Sequence, residues 1–125
     1  MLSGLKILVA EDNELSQKIA NYILQKQGAV VDAALNGEQA IECMQNNHYD
    51  VIIMDIHMPV MDGYEATEYI RNTMKNNIPI IGLTASNWEE EYEQCFNKGM
   101  NACIVKPFDP DNMCKSILSV IKENK

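Results

Sequence analysis

Five short apolar runs divide the chain: 5–10 (LKILVA), 29–34 (AVVDAA), 51–54 (VIIM), 79–84 (PIIGLT) and 102–105 (ACIV). Runs of this length, bounded by turn residues, read as strands, and the most apolar suit burial on both faces. Pro79 fits the first strand position, where the ladder loses least. Each run is followed by a stretch with helical spacing. Asn13 is an N-cap with Glu14 in the first turn, and Leu15, Ile19, Tyr22 or Ile23, and Lys26 continue the period until Gly28 stops it. After the Asn36-Gly37 turn, 38–45 predicts a short helix with Ala40, Ile41 and Met44 inward. The stretch 64–74 predicts one helix with Ala66, Ile70 and Met74 on one face. An acidic helix over 89–98 is expected to be capped near Ser86 or Asn87 and ended by Gly99. Asp109-Pro110 is an N-cap followed by proline at the first helical position. That last helix should reach about residue 122 and bury Met113, Ile117, Leu118 and Ile121. Strands alternating with helices predict a parallel sheet covered on both faces, with right-handed crossovers.

The strand ends carry the chemistry. In 51–63 (VIIMDIHMPVMDG), the third strand runs into Asp55, and Pro59 and Gly63 mark the loop beyond it. The carboxyl ends of parallel strands are where such sheets keep their binding crevices. The first strand ends at Glu11-Asp12, the fourth at Thr84 followed by Ala85, and the fifth at Lys106. The second ends in nothing comparable, which suits a sheet edge. Singly, each has a plainer reading: Asp55 as a turn cap, Glu11-Asp12 as a helix start, Thr84 as an ordinary strand residue, Lys106 as a solvated lysine. Together they would require a coincidence. Three converging carboxylates disfavour one another's ionisation, and a hard divalent cation such as magnesium relieves this. Lys106 offers a compact positive charge for a phosphoryl oxygen, and Thr84 offers a hydroxyl. This inventory suits phosphoryl transfer, which needs positioning and charge neutralisation. A carboxylate nucleophile would give an acyl phosphate.

Composition narrows the setting. The 125 residues suit one domain, 1–125, with one core. A formal net charge of −8 argues against nucleic acid as a partner and against direct contact with anionic membranes. No apolar run approaches the roughly 20 residues of a membrane span, and the amino terminus does not read as a signal peptide. The expected location is therefore cytoplasmic, either alone or as the cytoplasmic part of a membrane-bound sensor. Cys43, Cys95, Cys103 and Cys114 form no C-x-x-C pair and are not spaced with His48 or His57 as zinc ligands. Reduced, partly buried thiols are expected. The eight methionines read mainly as core filling.

Four motifs in order, LVAEDN (8–13), MDIHMPVMDG (54–63), LTAS (83–86) and KPF (106–108), make the whole chain resemble receiver domains of two-component response regulators. EDNELSQK, MDIHMPVMDGYEAT and GMNACIVKPFDPD look most like receivers of hybrid sensor histidine kinases. The resemblance implies a flavodoxin-like (βα)5 fold, a doubly wound parallel five-stranded sheet in the order 2-1-3-4-5. It implies that Asp55 takes a phosphoryl group from the phosphohistidine of a histidine kinase or histidine phosphotransfer domain. Magnesium, with manganese as a substitute, would be held by Asp12, Asp55 and the His57 carbonyl, with Glu11 acting mainly through water. Thr84 and Lys106 would contact the phosphoryl group, and Lys106-Pro107 would be the family's cis peptide. Such a domain promotes its own phosphotransfer and dephosphorylation without being a turnover enzyme in the usual sense.

The chain departs from the family pattern at Cys103, which stands where an aromatic or histidine switch residue is usual, and at Ala102, which replaces an acidic residue. A muted aromatic readout of phosphorylation is therefore expected. Leu15 and Ile19 are open to two readings, core packing and partner docking. A stand-alone regulator and a phosphate-independent pseudo-receiver scaffold are the alternatives. An aspartyl phosphatase of the haloacid dehalogenase class would want a second Asp at His57. A flavin module would want a hydroxyl- and glycine-rich loop after the first strand, and a P-loop is absent.

Overall fold

The computed structural model describes residues 2–85, 89–106 and 109–123. The expected cap at Ser86 or Asn87 and the Lys106-Pro107 peptide lie outside them. In chain order the elements are β1 (Lys6–Ala10), α1 (Glu14–Lys26), β2 (Val30–Ala34), α2 (Gly37–Asn46), β3 (Val51–Asp55), α3 (Gly63–Glu68), β4 (Ile80–Thr84), α4 (Glu89–Asn97), β5 (Ala102–Val105) and α5 (Pro110–Glu123). All strand pairs are parallel, in the order β2-β1-β3-β4-β5. The edge position expected for β2 is observed, and Val30 is half exposed there.

Local chemistry starts the helices where the sequence places them. The Asn13 side chain accepts from the Ser16 amide at 3.0 Å, and Asn36 accepts from that of Gln39 at 2.9 Å. Asp62 and Glu65 form a reciprocal capping box at the start of α3. The two-residue period of β3 then divides its side chains between two cores. Val51 and Ile53 join Ala20 and Leu24 of α1 and Met113, Cys114, Ile117 and Val120 of α5. Ile52 and Met54 join Ala40, Ile41 and Met44 of α2, Ala66 of α3 and Cys95 of α4. Every residue of β3 is buried.

Three helix expectations are corrected. The single helix expected over 64–74 is α-helical only to Glu68 and continues as a π-helical turn, Tyr69–Thr73. The Met74 amide accordingly bonds the Tyr69 carbonyl. This wider turn carries Arg71, whose guanidinium donates to the Gly99 and Asn76 carbonyls and to Asn101 Oδ1, each at 2.9 Å. On α5, Met113 and Ile117 are buried as expected, but Leu118 and Ile121 are only partly buried, and Cys114 and Val120 fill the inner face. On α1, Leu15 and Ile19 are 68% and 46% exposed. Core packing is thus excluded for both; small Ala20 lets the helix approach the sheet and Leu24 anchors it. Among the described residues, no helix is long and apolar enough to cross a membrane.

Candidate functional site

Three strands deliver charged side chains to one mouth. Ala10 of β1 pairs with Met54 of β3, so the next residues, Glu11 and Asp55, emerge side by side. Glu11, Asp12 and Asp55 each offer a carboxylate oxygen within 4.8 Å of the others. Glu11 and Asp55 are buried, while Asp12 faces solvent. Lys106, just past β5, reaches across β4 and places Nζ 2.7 Å from both Glu11 Oε2 and Asp55 Oδ2. Thr84 is fully buried at the end of β4, between the strands that carry Asp55 and Lys106. The Lys106 amide donates to the Thr84 carbonyl at 2.7 Å, which ties the two positions together.

Backbone donors and close packing set the carboxylates. The Asn13 amide donates to Glu11 Oε1 and that of His57 to Asp55 Oδ1, both at 3.1 Å. The loop after Asp55 folds back so that the Gly63 amide bonds the Ile56 carbonyl at 2.9 Å. A Cβ on Gly63 would collide with the Asp55 carbonyl oxygen and meet Ile56 Cα at 2.9 Å. Glycine at 63 therefore lets the loop close beneath the aspartate. Gln17, not singled out from sequence, donates its amide to the carbonyls of Glu11 and Ala34 at 3.3 and 2.9 Å. Its only sequence signal is a polar residue one turn into α1, on the side facing the strand ends.

The electrostatics favour a further cation. Burial, reinforced by Asp55 alongside, pushes the Glu11 carboxyl up to about 7 even though Lys106 opposes the shift. Burial works against the Lys106 ammonium, but its contacts with Asp55 and Glu11 outweigh that and hold it above the ordinary lysine value. One lysine thus serves two buried carboxylates, and Glu11 Oε2 has no aligned hydrogen bond despite its ion pair. An all-oxygen cluster with surplus negative charge fits magnesium, and its solvent-facing Asp12 leaves room for water ligands. The His57 imidazole points elsewhere, with Nε2 lying 3.2 Å from Glu91 Oε1 on α4. The structure thus unites Glu11, Asp12, Asp55 and Lys106, sets Thr84 beside them and leaves the His57 ring outside.

Similarity to known proteins points to one family. The family described as response regulator receiver domain matches residues 7–118. Hybrid signal transduction histidine kinase K of Dictyostelium discoideum is 35% identical over 96% of this chain, which spans 11% of that protein's length. Histidine kinase 1 of Arabidopsis thaliana is 33% identical over 97% of the chain, which spans 13% of its length. Among solved structures, the receiver domain of a sensor histidine kinase from Pseudomonas aeruginosa PAO1 superposes with a TM-score of 0.86 at 34% identity. The match covers 96% of this chain and 99% of that one, and that receiver has a magnesium ion coordinated in its active-site cleft.

Proposed function

Because this chain belongs to the response regulator receiver domain family, we propose that Asp55 accepts a phosphoryl group from a phosphohistidine in a phosphorelay. The observation that carries this reading is the shared contact of Lys106 with Asp55 and Glu11 at 2.7 Å, beside Asp12. An Asp55 carboxylate oxygen attacks phosphorus, the P–N bond to the donor histidine breaks, and an acyl phosphate forms. The His57 amide steadies one Asp55 oxygen while the other attacks. Lys106 transfers part of its charge pairing from Asp55 to the incoming phosphoryl oxygens. Thr84, next to Lys106 through the backbone, supplies a hydroxyl to the same group. Asp12 and Asp55 would hold magnesium directly, with the His57 carbonyl as a further ligand and Glu11 acting through water. When bound, the ion neutralises charge on the phosphoryl oxygens.

The donor is a histidine kinase or histidine phosphotransfer domain. The exposed Leu15, Ile19 and Tyr22 on α1 begin one turn from Asp12 and offer an apolar docking face beside the mouth. The similarity to hybrid signal transduction histidine kinases supports a place in a hybrid histidine kinase. Incubation with acetyl phosphate and magnesium tests the chemistry. Intact mass should rise by one phosphoryl group in the wild type and not in Asp55→Asn, and equal labelling of that variant would refute the assignment. Magnesium should raise the melting temperature by mass action. Retention of wild-type magnesium affinity and phosphorylation by Asp12→Ala would refute the metal assignment.

A further inference from the structure

Away from the carboxylates, under α4, Cys95 Sγ lies 3.2 Å from Cys103 Sγ of β5, with a hydrogen bond between the thiols. Both residues are buried, and Cys103 retains 6% exposure. A short connection holds them in place. The Met100 amide bonds the Cys95 carbonyl at 2.9 Å, Gly99 turns with φ of 107°, and the Asn101 amide bonds the Ile80 carbonyl at 2.8 Å. The Tyr92 hydroxyl donates to the Cys103 carbonyl at 3.0 Å, so α4 grips this point of β5 twice. A disulfide requires an S–S separation of about 2.05 Å, which leaves the sulfurs about 1 Å to travel.

We infer that Cys95 and Cys103 form a reversible dithiol–disulfide site, oxidised by hydroperoxides, that bolts α4 to β5. Helix α4 is otherwise weakly held: among its residues with described side chains, Cys95 alone is buried. A helix with so few buried contacts opens locally, and that opening admits a molecule as small as peroxide. Cys95 donates to Cys103 while both are protonated. Once the Cys95 proton leaves, the Cys103 S–H can donate in return, which holds the Cys95 thiol below the usual range, whereas burial pushes Cys43 and Cys114 up. Cys95 is therefore the attacking sulfur. Its thiolate takes one peroxide oxygen as the O–O bond breaks, giving a sulfenic acid and, with a proton, water. The Cys103 sulfur then attacks the sulfenic sulfur, its proton leaves with the hydroxyl as a second water, and the S–S bond forms. Two electrons leave the sulfurs and reduce one peroxide to two waters. Cys103 faces Gly82 of β4, two residues before Thr84. The bond would thus fix the helix that follows Thr84 in the chain to the strand that precedes Lys106.

The test treats reduced full-length chain with stoichiometric hydrogen peroxide, alkylates the remaining thiols and digests with trypsin. Lys98 lies between the two cysteines, so cleavage after it separates them unless they are bonded. The expected result is a loss of two hydrogens in intact mass, a linked peptide pair whose fragments place the bond on Cys95 and Cys103, and reversal by dithiothreitol. Cys95→Ala should abolish the link. Asp55→Asn should form it like the wild type, since the site does not depend on phosphorylation. Amide exchange along α4 should slow at least several-fold in the oxidised protein. A pair that stays reduced, stops at a sulfenic acid, oxidises beyond it or bonds through Cys43 or Cys114 overturns the inference. Unchanged exchange in α4 overturns its anchoring role.

Discussion

The two faces of the sheet are packed from different materials. Against α1 and α5 the core is mostly branched aliphatic: Ile7, Val9, Leu24, Val51, Ile53, Ile81, Leu83, Ile104, Ile117 and Val120, with sulfur, among the described residues, at Met113 and Cys114. Against α2, α3 and α4, the branched residues Leu8, Ile41, Ile52, Ile56, Ile70, Ile78 and Ile80 are joined by Met44, Met54, Met58, Met100, Cys95 and Cys103, with Cys43, Met61 and Met74 partly buried around them. Branched side chains have few rotamers and make a stiff core, whereas the unbranched thioether fills irregular gaps and readjusts at little cost. The softer face also contains the π-helical turn and a tight contact at Gly82, where a Cβ would meet Met100 Sδ at 2.6 Å. The proposed phosphorylation site opens at the end of strands that both faces share. Movement at Thr84 or Lys106 therefore has a compliant side, toward α4, and a stiff side, toward α5.

Core truncation on the stiff face should have the largest effect. Ile53→Ala removes a fully buried branched side chain and should cost about 2–5 kcal/mol in urea unfolding. A loss under about 1 kcal/mol would mean that this face relaxes as readily as the other. Next comes Cys103→Tyr, which forces a ring into the space now held by two thiols. Overpacking should cost about 1–3 kcal/mol. In the same variant, beryllofluoride should produce larger amide shifts in α4 and β5 than in the wild type, where a small side chain mutes the readout. A large wild-type rearrangement there, unchanged by tyrosine, would refute that account.

A volume-conserving exchange on the sulfur-rich face should cost less. Met54→Leu is buried as completely as Ile53, yet should lose no more than about 1.5 kcal/mol. A cost equal to that of Ile53→Ala would erase the contrast between the faces. The smallest effect on stability belongs to the outer surface of α1. Leu15→Ala with Ile19→Ala should stay within about 0.5 kcal/mol of wild type per site, while slowing phosphotransfer from a histidine phosphotransfer domain. Chemical-shift changes confined to α4 and α5 on titration with that domain would place docking elsewhere.

Much of the fold was legible because its signals are local. Asn13 caps the helix that follows it as expected, and all five apolar runs became strands; the caps at Asn36, read as a turn, and at Asp62 emerged with the structure. The departures have non-local causes. The π-helical turn holds Arg71, whose partners Gly99 and Asn101 lie 28 and 30 residues away in sequence. On α1, Leu15, Ile19 and Tyr22 are solvent-facing while Ala20 and Leu24 lie inward, because contact with a sheet rewards a small side chain at 20 that periodicity alone ranks below leucine.

By itself the sequence determined which residues end the strands and what chemistry they carry, since a side chain's charge and its position after an apolar run are written in the chain. Its resemblance to receiver domains also marked Cys103 as a departure. Only the tertiary structure decided that Lys106 is shared by Glu11 and Asp55, that the His57 ring turns toward Glu91, and that Cys103 meets Cys95. Those contacts depend on strand order, crossover and helix seating. These are set by the burial of many distant apolar groups at once, and no local spacing encodes which of them will meet.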